Sequence, residues 1–101
     1  MNNKRRKLIK GALKKITEVK DMLDKIDFDK EIDDVTTAMD EEDESMNNLP
    51  ESLQDSDRYI EMDSNVTNLD DAKDLMVDAK DSILDAVSNL KDAIYCLESI
   101  E

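Results

Sequence analysis

The chain has no His and no Trp, and only one Gly, one Pro and one Cys among its 101 residues. Each shortage closes a class of function. Without His there is no His-ligated metal centre, no Glu-x-x-His di-iron bundle and no His-based acid/base catalysis. A single Gly cannot build a P-loop or a dinucleotide-binding turn. One Gly and one Pro cannot supply the turns of a sandwich or barrel, which argues against an all-β fold. Cys96 alone makes neither an internal disulfide nor a Cys-type zinc site. That cysteine usage suits a reducing compartment, so a cytoplasmic setting is expected. No apolar run nears the ~18 residues of a membrane span. Lys10, Lys14 and Lys15 interrupt the start of the chain, where a secretory signal would need an apolar core. The sequon Asn65-Val66-Thr67 therefore carries no glycosylation meaning.

What is abundant is charge, at 41 % of residues, and its balance is −13. The charge is unevenly spread. Residues 1–20 hold eight Lys/Arg and one Glu, a net of +7, and residues 21–101 carry a net of −20. An acidic chain with 3 % aromatics also suits disorder. Periodicity decides against that.

Met62, Leu69, Met76, Ile83, Leu90 and Leu97 recur every seven residues, and Tyr59, Val66, Lys73, Lys80, Val87 and Ile94 fall between them at alternate steps of four and three. This is a heptad pattern with the first set at d and the second at a. Ala72, Ala79, Ala86 and Ala93 fill the g column. Lys73 and Lys80 at a are expected to snorkel and fix register, with contact to a partner as the alternative. One helix over about 57–100, helix 2, follows, with Ser56 or Asp57 as its N-cap. Cys96 falls at c, beside the seam, as a partly buried thiol.

The first half also reads as helical. Ile9, Ala12, Ile16, Val19, Leu23 and Ile26 form one seam, and Phe28, Ile32, Val35 and Met39 form another on nearly the opposite side. Either the helix breaks near Asp27–Asp29 or it contacts different neighbours along its length. A continuous or kinked helix over about 4–40 is the favoured expectation. Asp40 to Glu44 are five consecutive acids that should fray the helix end. Asn47, Asn48 and Pro50 then break it, giving an acidic loop over 41–56 that Leu49 and Leu53 can pin.

The expected architecture is a single all-α domain over 1–101. Two long antiparallel helices form a coiled-coil-like hairpin, and two hairpins pair into a four-helix bundle as a homodimer. Met62, Val66, Leu69, Met76, Ile83, Val87, Leu90, Ile94 and Leu97 are the candidate oligomer seam.

The loop carries a resemblance. Asn48-Leu49-Pro50-Glu51-Ser52-Leu53-Gln54-Asp55-Ser56-Asp57-Arg58, after the basic start Asn3-Lys4-Arg5-Arg6-Lys7, resembles a family of small acidic helical proteins of Gram-positive phages and prophages. Only the loop of that pattern is specific. Helix 2 departs from the family by using Asp where mostly Glu is expected. The resemblance implies a mobile-element origin and a bacterial cytosol. It implies no catalytic residue.

Chemistry is sparse. Asp27, Asp29, Glu31 and Asp33 mimic positions 1, 3, 5 and 7 of an EF-hand loop, but Ile32 stands where Gly is needed and Ala38 where Glu is needed. No metal or cofactor is expected. Two-helix seams rarely supply a pocket for paired carboxylates, and Cys96 has no His to activate it. The chain reads as a non-enzyme.

The acidic face is sharper. Asp71, Asp74, Asp78, Asp81 and Asp85 step by three and four along one line opposite the d column, and Asp92 extends it. Asp40, Glu41, Glu42, Asp43 and Glu44 add a second acidic cluster. Asp is a poorer helix former than Glu, and a like-charged row costs a few tenths of a kcal/mol per pair. A surface built for solubility alone does better with Glu and interspersed Lys. A rigid anionic row imitates the phosphate backbone that basic nucleic-acid-binding proteins grip. The expected function is therefore an acidic inhibitor of a host nucleic-acid-binding defence protein, of anti-CRISPR or anti-restriction type. The alternative is a coiled-coil scaffold of a phage complex. The basic segment of residues 4–15 is expected to neutralise the end of helix 2 near Glu98 and Glu101, rather than to bind nucleic acid or membrane.

Overall fold

The computed structural model describes all 101 residues and is all-α. It has three α-helices: α1 over Asn3–Asp24, α2 over Asp29–Asn47 and α3 over Asp57–Glu98, with one turn of 3-10 helix at Glu51–Leu53. The chain groups into two compact units, Met1–Ile26 with Lys80–Glu101, and Asp27–Ala79.

The first unit pairs α1 with the later part of α3. Ile9, Leu13, Ile16, Val19 and Leu23 of α1 are half-buried, as are Ile83, Leu90, Ile94 and Leu97 of α3, while Val87 is buried. The pairing is antiparallel: the Arg6 guanidinium at the start of α1 donates to the backbone oxygen of Glu101, at 3.4 Å. The Asn2 side chain caps α1 by accepting from the Arg5 N–H at 2.9 Å. Gly11 lies inside α1, and a Cβ built there meets nothing within 4 Å. Gly11→Ala is therefore expected to raise stability by about 0.5–1 kcal/mol, the helix-propensity difference. A urea midpoint that shifts upward at unchanged slope would check it.

The second unit pairs α2 with the start of α3, also antiparallel. Met46 near the end of α2 and Met62 near the start of α3 are its buried residues. Asn65 donates to the Glu42 carboxylate at 3.3 Å. Ile32, Val35 and Met39 complete the seam of α2, half-buried, with Val66, Leu69 and Met76 half-buried on α3. Ser56 starts α3: its hydroxyl accepts from the Tyr59 N–H at 3.3 Å and donates to the Leu53 carbonyl.

Two expectations are corrected. The first helical stretch is broken at Lys25–Phe28 rather than continuous to Asp40. The cause is the change of seam. At 100° per residue, the line Ile9–Leu23 and the line Phe28–Met46 point roughly 120° apart on one unbroken helix. Breaking the chain lets each line face the helix of its own unit. Asp27 stabilises the restart, because its carboxylate accepts the Asp29 N–H at 3.0 Å, and Asp29 and Glu31 suit the positive end of α2.

The acidic run is helix rather than loop, since α2 continues to Asn47. Asp40–Glu44, Asp40–Asp43 and Glu41–Glu44 are like-charged neighbours costing a few tenths of a kcal/mol each. Acids at a helix C-terminus cost about 0.3–1 kcal/mol more. Burying Met46, 7 % exposed, returns about 1.5–3 kcal/mol and requires the helix to reach it. The two sides nearly balance, and the Glu42–Asn65 hydrogen bond adds to the helical side. The true connection is Asn48–Ser56. Leu49 is half-buried within it, but Leu53 is 44 % exposed.

Candidate interaction surface

Every residue of the expected oligomer seam is buried or half-buried within the chain: Met62, Val66, Leu69, Met76, Ile83, Val87, Leu90, Ile94 and Leu97. That line faces α2 in one unit and α1 in the other. Met39 and Val66 line one shallow groove, and Ile9, Leu13 and Leu97 line another. The a/d stripe of α3 is thus used inside the chain. Lys73 and Lys80 on it are half-buried, as are Ala72, Ala86 and Ala93, while Ala79 is exposed.

The opposite side of α3 carries the aspartates. Asp71, Asp74, Asp78, Asp81, Asp85 and Asp92 are all exposed. Asp71, Asp74 and Asp78 belong to the second unit, and Asp81, Asp85 and Asp92 to the first. Surface ion pairs join Lys20 to Asp21 and Asp24, and Lys30 to Asp34, on α1 and α2 rather than on α3. The two lysines hold their protons more firmly than a free lysine. Hydrogen bonds that Lys20 donates to Asp21 and then to Asp24 raise its pKa, and the one that Lys30 donates to Asp34 raises that of Lys30. None of these three pairs uses a carboxylate of the aspartate row.

The second acidic cluster is divided by its helix. Asp40, Glu41, Asp43 and Glu44 are exposed, whereas Glu42 is half-buried and held by Asn65. Glu42 shares a groove with Arg58, Glu61 and Met62, so it is an internal contact. Asp40 and Asp43 line a groove with Asp70 of α3, a carboxylate absent from the expected set. Its signal was its neighbour Asp71, one step around the same helix.

The basic start of α1 forms two features. Arg6 and Lys10 share a groove with Glu98, the last residue of α3, and with Glu101, and the one bond there is from the Arg6 guanidinium to the Glu101 backbone oxygen. Lys4 and Lys7 lie with Asn3 on the other side of Arg6 and Lys10. Cys96 is exposed rather than partly buried. Its c position falls just outside the stripe that α1 covers. Ala12 and Ile26, expected in the α1 seam, are exposed, and Leu13 takes the inner place.

No helix is long and apolar enough to cross a membrane. No protein family matches the chain, and neither a curated protein nor a solved structure is similar to it.

Proposed function

We propose that this chain is a non-enzymatic acidic binding protein of a phage or other mobile element. Its target is a host nucleic-acid-binding defence protein of the restriction or CRISPR kind, and it acts in the bacterial cytoplasm as a homodimer. The aspartate row occupies the basic groove where the target holds phosphates. The observation that carries this reading is that row: six exposed aspartates on the outer side of α3. Short Asp side chains keep the charge close to the rigid backbone, so little side-chain entropy is lost on contact. Charge steers the encounter and makes it sensitive to salt.

The coiled-coil scaffold stays as a second reading because large apolar side chains remain in the open. Leu8, Met22, Leu75, Leu84 and Tyr95 are all more than half exposed. Pairing of two copies into a four-helix bundle belongs to both readings.

The test is retention of Gram-positive host proteins on the immobilised chain at physiological and at high salt, with duplex DNA as competitor. The inhibitor reading expects a DNA- or RNA-binding protein that high salt and DNA both release. Retention of phage proteins alone, indifferent to salt and DNA, would replace it with the scaffold.

A further inference from the structure

α1 carries two adjacent apolar lines, and its unit uses one. Ile9, Leu13, Ile16 and Leu23, with Lys20, are half-buried. The neighbouring line begins one residue earlier. Leu8, Ala12, Lys15, Val19 and Met22 step by four, three, four and three, the spacing of a coiled-coil seam, and Ile26 follows two residues beyond the end of α1. It is largely open: Leu8 is 67 % exposed, Met22 68 % and Ile26 48 %. Val19, at the edge of both lines, is half-buried.

We propose that this second line is the homodimer seam, covered by α1 of a second copy running antiparallel. The proposal rests on the homodimer part of the reading above and adds the face and the register. The line is complementary to its own reverse. With Lys15 against Val19 of the second copy, Ala12 meets Met22 and Leu8 reaches the end of the second copy's α1, where Ile26 follows it, and the twofold axis repeats each contact. Small Ala12 opposes long Met22, so the layers alternate in size.

Charge fixes the direction. A parallel pair would set Lys4, Arg5, Arg6, Lys7, Lys10, Lys14 and Lys15 beside the same seven cations. The antiparallel pair sets Lys14 and Lys15 of one copy beside Asp21 and Glu18 of the other. The two Glu18 carboxylates near the axis then lie among four lysines. Neither Lys14 nor Lys15 takes part in an ion pair within the chain. A foreign partner of one sign would match one end of α1 only. The basic-to-acidic gradient along α1 matches a reversed copy along its whole length.

Sedimentation equilibrium of the full chain across a dilution series is expected to give twice the 11.5 kDa of one chain. Leu8→Glu with Met22→Glu should give monomer at unchanged helicity, with association weakened at least about 100-fold. Leu84→Glu, on the outer side of α3, should leave the dimer intact. Glu18→Lys should weaken the dimer, and adding Lys14→Glu and Lys15→Glu should restore it, which holds the test open if the apolar variants misfold. For direction, Cys96→Ser supplies the background. A short bifunctional maleimide should join copies through Glu18→Cys and not through Leu8→Cys. A monomeric wild type overturns both the seam and the homodimer. A dimer untouched by Leu8→Glu with Met22→Glu overturns the seam and leaves the homodimer. Cross-linking through Leu8→Cys overturns the antiparallel register.

Discussion

Changing Asp71, Asp78, Asp85 and Asp92 together to Asn is expected to abolish binding to a basic partner while leaving the helices intact and slightly more stable. The two effects have opposite signs, which separates a binding surface from a structural one. Asn and Asp are similar helix formers, and all four side chains are exposed, so no packing is lost. Three of the four flank Asp74 and Asp81 at three- and four-residue steps. The change relieves four like-charge contacts of a few tenths of a kcal/mol each, a gain of about 1 kcal/mol. Binding moves the other way. Losing four charges from a row of six removes most of the field that guides encounter and most of the charge-assisted contacts at the groove. Thermal melting should show a small rise, and a titration against the captured partner should show no measurable affinity. Unchanged affinity would remove the row from the interface. A lower melting temperature would mean that the aspartates are structural.

The parts of the fold that were legible in the sequence share one physical cause. A heptad line on a helix has one direction, and burial follows it. Every a/d position from Tyr59 to Leu97 is buried or half-buried, as the spacing alone implies. What covers that line was not legible. A seam wide enough for two partners reads the same whether α1 or a second copy fills it, and here α1 and α2 fill it. The break at Lys25–Phe28 was visible as a change of phase. Propensity does not penalise continuing a helix through Asp27, so the choice fell to packing within each unit. The run Asp40–Glu44 misled for a related reason. Local repulsion argued for fraying, while the opposing term, burial of Met46, sits two residues beyond the run and depends on α3. The open line on α1 hid behind its neighbour. Leu8 and Ile9, or Met22 and Leu23, are adjacent apolar residues, and a single seam drawn through Ile9, Ala12, Ile16, Val19, Leu23 and Ile26 mixes members of the two. The exposed aspartates were legible because nothing competes with water for a short charged side chain opposite a seam.

The second large effect concerns the first unit. Val87→Asp is expected to destabilise it by about 3 kcal/mol or more, whereas Leu84→Asp costs little. Each variant puts one Asp in place of an aliphatic residue and changes the net charge by the same amount, three residues apart on α3. They differ in burial: Val87 is 7 % exposed and Leu84 57 %. A carboxylate at 87 replaces contacts with the apolar line of α1 and loses water on the facing side. Its pKa is therefore pushed up in the folded state. A raised folded pKa means that the native state binds the proton more tightly than the unfolded chain does. The penalty of Val87→Asp relative to wild type should shrink as pH falls through that raised value, and stand in full above it. The loss should also be local. Met46 and Met62 hold the other unit without help from Val87. Amide exchange should accelerate over residues 1–26 and 80–101 and stay slow over 27–79. Acceleration over the whole chain would mean that α3 transmits the damage along its length and that the two units unfold as one block. Equal behaviour of Val87→Asp and Leu84→Asp would mean that α1 does not cover this part of α3 in solution.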